Sequence, residues 1–183
     1  MGPICIFQKN FAFTTADSER TQIKTGPFGP CYVVTFTSVK FAAMAHIDDQ
    51  ANVDSMSAIF EKFLENSVNP KDIKVIVLGG WKEHPESYIW GQKILNKILN
   101  SNFQNVSTTN MHSKKALTPY QEMYGMSPSE VSDHYHFGAT VDSTNGETFT
   151  LNEYPEDLDD AQDEQTQKFT DFEGEVPLSQ IFK

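Results

Sequence analysis

Two adjacent runs of β-forming residues, Tyr32-Val33-Val34-Thr35-Phe36-Thr37 and Val39 to Ile47, constrain this chain more than any other feature. β-branched and aromatic residues at this density favour extended structure. Only Ser38 separates the runs, so they are expected to pair as an antiparallel hairpin, with the start of the first beside the end of the second. That pairing carries the thiol of Cys31 toward the imidazole of His46, fifteen positions later. Cys31 follows a Gly- and Pro-rich turn, Thr25-Gly26-Pro27-Phe28-Gly29-Pro30, which can present a side chain at the mouth of a sheet. A thiol within reach of an imidazole can pass its proton to it, and reactive cysteines of this kind have pKa values lowered from about 8.5 to roughly 3.5–7.5. A free cysteine in a core, by contrast, only packs.

The rest of the pattern reads as α+β. Ile4 to Phe7, Phe11 to Thr14 and Thr21 to Thr25 are short strands. Val53 to Asn66 is the cleanest helix: Met56, Ile59, Phe60, Phe63 and Leu64 recur on one face, with Asn52 or Asp54 as cap. Asp72 to Leu78 is a nearly continuous aliphatic strand, expected to be central and buried. Gly79-Gly80 turns the chain, and Pro85 suits the first turn of a second helix running to Asn100, with a stripe of Trp90, Gly91, Ile94, Leu95 and Ile98. A strand near Asn105 to Thr109 follows, and Val141 to Leu151 is a hairpin with an Asn145-Gly146 turn. Met111 to Asp133, interrupted by Pro119, Gly125 and Pro128, is a long excursion. The expected architecture is a strongly twisted, mostly antiparallel sheet system flanked by two helices.

A length of 183 residues suits one domain, and 38% hydrophobic with 12% aromatic content suits a packed core. The net charge of −11 is uneven: Glu153 to Glu175 holds ten acidic residues against Lys168, a net of −9 that leaves −2 for the rest. Without a basic patch, nucleic acid is not an expected partner, and no apolar run approaches a membrane span. Residues 1–152 are expected to form the catalytic domain, and 153–183 an acidic segment, solvated and mobile between Glu156 and Glu164. Met1-Gly2-Pro3-Ile4-Cys5-Ile6 lacks a basic segment of the secretory type, so a cytosol with reduced thiols is the expected setting, whether the cell's own or a host's reached by an effector.

The order Thr25-x-x-x-Gly29-x-Cys31, an apolar strand, then Ala43-Met44-Ala45-His46 resembles the chemoreceptor glutamine deamidase family. The chain is equally similar to the protein N-terminal asparagine amidohydrolase family, in Cys31-Tyr-Val-Val, in His46-Ile47-Asp48, in a strand ending Gly79-Gly80-Trp81, and in Phe137-Gly138-Ala-Thr-Val141. The resemblance covers roughly residues 20–105 and 135–152. It implies a sandwich-like fold shared with the cytotoxic necrotizing factor catalytic domain. It also implies amide hydrolysis with Cys31 as nucleophile, His46 as base and Thr25 as the residue that orients His46. The motif after His46 inclines the reading toward the asparagine amidohydrolases, whose eukaryotic members are longer.

Such chemistry needs a nucleophile, a proton shuttle and donors for the tetrahedral oxyanion, and no metal or cofactor. The backbone N–H of Cys31 and of Gly29 are candidate donors, whereas Pro30 has none. Asp48 is a rival to Thr25 for orienting His46, and a candidate to bind the α-ammonium of an N-terminal Asn. The expected partner is a peptide or protein substrate carrying an N-terminal Asn or an internal Gln. His134 and His136 share a strand face but lack a third ligand at metal-site spacing, and His84 and His112 carry no motif. A non-catalytic binding module that keeps the fold is the alternative from another class.

Overall fold

The computed structural model describes residues 2–26, 28, 31–80, 85–111, 138–150 and 165–169. In chain order the strands and helices are β1 (Ile4–Ile6), β2 (Asn10–Thr15), β3 (Gln22–Thr25), β4 (Tyr32–Ser38), β5 (Phe41–Ile47), α1 (Ser57–Glu65), β6 (Lys74–Gly79), α2 (Pro85–Asn100), β7 (Asn105–Met111), β8 (Ala139–Asp142), β9 (Glu147–Thr150) and β10 (Gln167–Lys168). They build two sheets, one ordered β1-β3-β8-β9 and one ordered β10-β2-β5-β4-β6-β7. Pairing is antiparallel except between β1 and β3 and between β6 and β7, the latter joined through α2. Among the described residues the fold is therefore α+β, with mostly antiparallel sheets and two α-helices.

Strand alternation sorts the six-stranded sheet's side chains onto two faces. Tyr32, Val34, Phe36, Ala43, Ala45, Ile47, Val75 and Val77 pack against the helices through Met56, Ile59, Phe63, Ile94 and Ile98. Val33, Ala42, Met44 and Leu78 face the other sheet's Ile4, Ile6, Ile23, Ala139 and Val141. Both faces of β4 are thus covered, which is why its sequence reads as an unbroken apolar and β-branched run.

The expected hairpin forms, its register setting Tyr32 opposite Ile47 and Ser38 opposite Phe41. Val39 leaves the second run, however: it sits in the two-residue turn with Lys40, 83% exposed, because Lys40 adopts φ 68° there. The first helix begins as a 3-10 turn, Val53–Met56, capped by the Asn52 side chain, and Leu64 lies off its buried stripe at 59% exposure. The second helix has the expected bounds. The last hairpin pairs Asp142 with Glu147, so its loop is four residues, Ser143 to Gly146, rather than a two-residue Asn-Gly turn. Asp142 stabilises that longer loop by accepting from the Thr144 amide and hydroxyl, and Gly146 supplies the positive φ.

A boundary after residue 152 cuts through a sheet. Gln167–Lys168 adds an edge strand to β2, and Phe169 is 3% exposed with its ring edge-on to Phe11 at 5.1 Å. Apolar burial outweighs local acidity at this point, so residues 165–169 belong to the six-stranded sheet. The block Glu156 to Glu164 and the excursion's residues 112–133 lie outside the described residues. Phe169→Ala is expected to cost about 3 kcal/mol of stability in urea unfolding, whereas Leu64→Ala changes it by less than about 0.5 kcal/mol. Equal effects of the two substitutions would remove β10 from the core.

Candidate active site

The hairpin register decides which side chains meet. His46 lies opposite Val33, so both face the four-stranded sheet, and Cys31 packs against that same intersheet cluster. Cys31 precedes Tyr32, the partner of Ile47, and thus takes a position diagonal to His46 on one face. Same-face diagonal neighbours have Cα atoms about 7–8 Å apart, with Cβ atoms somewhat nearer.

Thr25 reaches the site from the other sheet. It is fully buried at the end of β3, where its hydroxyl donates to the Ile6 carbonyl at 2.9 Å and lies 2.8 Å from His46 Nδ1. A threonine hydroxyl has one proton. With that proton committed to Ile6, Thr25 accepts from His46, so Nδ1 carries the imidazole hydrogen and Nε2 holds a bare lone pair. His46 is 2% exposed, and its Nε2 has no hydrogen-bond partner among the described residues. Gly138 backs this contact: a Cβ there would lie 2.0 Å from the Thr25 carbonyl oxygen, so only glycine lets the strands close. Asp48 does not orient the imidazole. Its Oδ1 accepts from the Gln50 amide at 3.0 Å, which closes a turn just beyond β5.

The protonation states depart from the expected thiolate–imidazolium pair. Burial pushes the Cys31 thiol up to about 12, and the charges of Asp48 and Asp49 push the same way. Burial holds His46 down to about 4. Phe28, 1% exposed in the Gly- and Pro-rich turn, contributes to that burial with its ring edge-on to the imidazole at 6.4 Å. No hydrogen bond joins Cys31 Sγ to His46 Nε2. Burial thus favours the uncharged forms of both the thiol and the imidazole over a standing ion pair.

Cys31 opens onto a cavity of about 250 Å³, where Asp48, Asp49 and Glu86 supply carboxylates and Ile47 and Trp90 supply apolar wall. Tyr32 holds the far side in place. Its hydroxyl donates to the Ser87 carbonyl at 2.6 Å, in the first turn of α2, and Gly80 and Gly91 leave room for its ring. A second groove of about 350 Å³, beside Lys93 and Lys97, has no cysteine or histidine in its described lining. No disulfide joins Cys5 and Cys31. Gly29, Pro30, Trp81, His84, His112, His134, His136 and Phe137 lie outside the described residues. Among the described residues no helix is long and apolar enough to cross a membrane, and no cluster of three metal-ligating side chains occurs.

Sequence reasoning missed Gln8, whose Nε2 donates to Cys31 Sγ at 3.8 Å, and also missed Phe28, Asp49, Glu86 and Trp90. Glu86, directly after the helix-starting Pro85 and so at the sheet's end, offered the one usable signal. No protein-family model matches this chain, and no curated protein matches it in sequence.

The buried His46 has a direct consequence for stability. An unfolded histidine takes up a proton near pH 6.5, while the folded one stays neutral to about 4. The unfolded state therefore binds more protons in that window, and stability falls as pH falls through it, by about 3 kcal/mol in all. Nitrogen-15 NMR, with His46 assigned through His46→Gln, is expected to show a neutral Nδ1–H tautomer down to about pH 5. A midpoint at 6.5 or above contradicts the buried, neutral imidazole.

Proposed function

We propose that the chain is a cysteine-dependent amidohydrolase that converts the side-chain amide of a peptide or protein to the acid, in the manner of the N-terminal asparagine amidohydrolases and chemoreceptor glutamine deamidases. The observation that carries this reading is the buried His46, held in one tautomer by Thr25 with its Nε2 bare, beside a thiol that opens onto a cavity. A buried acceptor left without a partner costs about 1–3 kcal/mol, a cost expected where the atom serves chemistry.

In the reaction, Cys31 Sγ forms a bond to the amide carbon while its proton passes to His46 Nε2. The carbonyl π pair moves onto oxygen. Collapse of the tetrahedral species breaks the C–N bond, and the imidazolium returns the proton to the departing nitrogen, releasing ammonia. Water then attacks the thioester, giving up a proton to Nε2. The C–S bond breaks, and the proton returns to the sulfur. No electron acceptor or metal enters this balance.

The carboxylates in the cavity favour an N-terminal Asn over an internal Gln. An α-ammonium seated by Asp48 and Asp49 offsets the two charges that raise the Cys31 thiol, so the substrate lowers the cost of its own nucleophile. An acetylated terminus lacks that charge. The working compartment in this reading is a reducing cytosol. The neutral resting pair, with no Sγ–Nε2 hydrogen bond, favours a second reading in which the fold is kept as a non-catalytic binding module.

Ammonia release separates the two. An Asn-first peptide is expected to be hydrolysed at least tenfold faster than its acetylated form or an internal-Gln peptide. Cys31→Ala is expected to reduce release to background without shifting the urea midpoint. Ammonia release no higher than that of Cys31→Ala from every peptide, Asn-first or internal-Gln, overturns the amidohydrolase reading in favour of the binding module. Thr25→Val is expected to lower kcat about tenfold or more by freeing the tautomer, and Thr25→Ser to restore most of it. If valine and serine behave alike, the hydroxyl does not orient His46.

A further inference from the structure

We infer that Gln8 is the side-chain donor that stabilises the oxyanion formed on Cys31, an inference that rests on the amidohydrolase reading. Gln8 lies in the short link between β1 and β2, where the chain leaves one sheet for the other. It is an exposed residue, yet its amide Nε2 points at Cys31 Sγ from 3.8 Å. The backbone around it is held from three sides. The Lys9 amide donates to the His46 carbonyl at 2.8 Å, the Asn10 amide donates to the Phe7 carbonyl at 3.1 Å, and the Phe169 amide donates to the Lys9 carbonyl at 2.8 Å. Lys9 itself takes φ 64°, which fixes the direction of the turn. One bond thus ties the link to the strand end that carries the base, and another ties it to β10.

Amide hydrolysis turns the substrate carbonyl oxygen into an anion on the carbon that bears Sγ. A donor already close to the sulfur is placed to lie about 2.7–3.1 Å from that oxygen. The need for such a donor is sharpened by Pro30, which precedes the nucleophile and has no N–H. Gln8 supplies two N–H groups on a side chain.

The test compares wild type with Gln8→Ala and with Gln8→Glu, a near-isosteric carboxylate that cannot donate when ionised. With a hydrolysed Asn-first peptide, kcat is expected to fall about 10²-fold or more in Gln8→Ala and further in Gln8→Glu, with KM changed less than threefold. A second arm needs no turnover: carbon-13-labelled acetaldehyde forms a hemithioacetal whose oxygen occupies the place of the oxyanion, while iodoacetamide alkylates the thiol without creating one. Gln8→Ala is expected to weaken the hemithioacetal at least tenfold and leave alkylation within twofold. Unchanged kcat, unchanged aldehyde affinity, or an equal loss in both thiol reactions overturns the role of Gln8. If wild type releases no ammonia from any peptide, the amidohydrolase reading fails, and the aldehyde arm alone decides on Gln8.

Discussion

The single hydroxyl proton of Thr25 organises this molecule's centre. Ile6, on the parallel neighbour of Thr25 in the four-stranded sheet, takes that proton, and the oxygen is left to accept from His46 on the six-stranded sheet. One side chain therefore joins two layers and sets a tautomer. Because the contact is fully buried, water does not compete for it, and turning the hydroxyl proton toward Nδ1 would take this donor from the Ile6 carbonyl in a low-dielectric interior. Gly138 protects the same spot by letting β8 approach the Thr25 backbone.

Burial that makes this arrangement firm also works against charge. The same apolar packing that holds His46 near pH 4, with Phe28 at its edge, raises the thiol beside it, and two carboxylates add to that rise. Such a site favours the protonated thiol. Its electrostatics favour a cationic group arriving at the acidic wall, after which the thiol faces a smaller penalty for losing its proton. The proposed chemistry is thus coupled to occupancy in part through charge, burial being the larger cause of the raised thiol. Tyr32 keeps the geometry on which this depends, since its hydroxyl bonds the first turn of α2 beside the Cys31 backbone, whose carbonyl accepts from Gly80 at 3.0 Å.

Much of the fold was legible in the chain itself. The two β-forming runs from Tyr32 to Ile47 pointed to a hairpin and, with it, to a meeting of Cys31 and His46. The 3.6-residue stripe after Asn52 and the Pro85 start defined both helices, because these signals are carried by neighbours within one turn or one strand. Thr25 was named beside Asp48 as a partner of His46, but nothing local chooses between them. That choice required knowing that β1 and β3 pair in parallel, and that Asp48 spends its oxygen on the Gln50 amide.

The sequence by itself determined the local elements, the alternation that sorts side chains to two faces, and the chemical types in reach of the strand ends. Only the tertiary structure decided that β10 joins the sheet despite its acidic surroundings, that the β1–β2 link brings Gln8 to the sulfur, and that burial favours the uncharged forms of Cys31 and His46. The physical reason is range. Periodicity is a property of adjacent residues, whereas sheet partners, solvent exclusion and the field of Asp48 and Asp49 at a thiol are sums over groups far apart in the chain, and they exist only once the layers have packed.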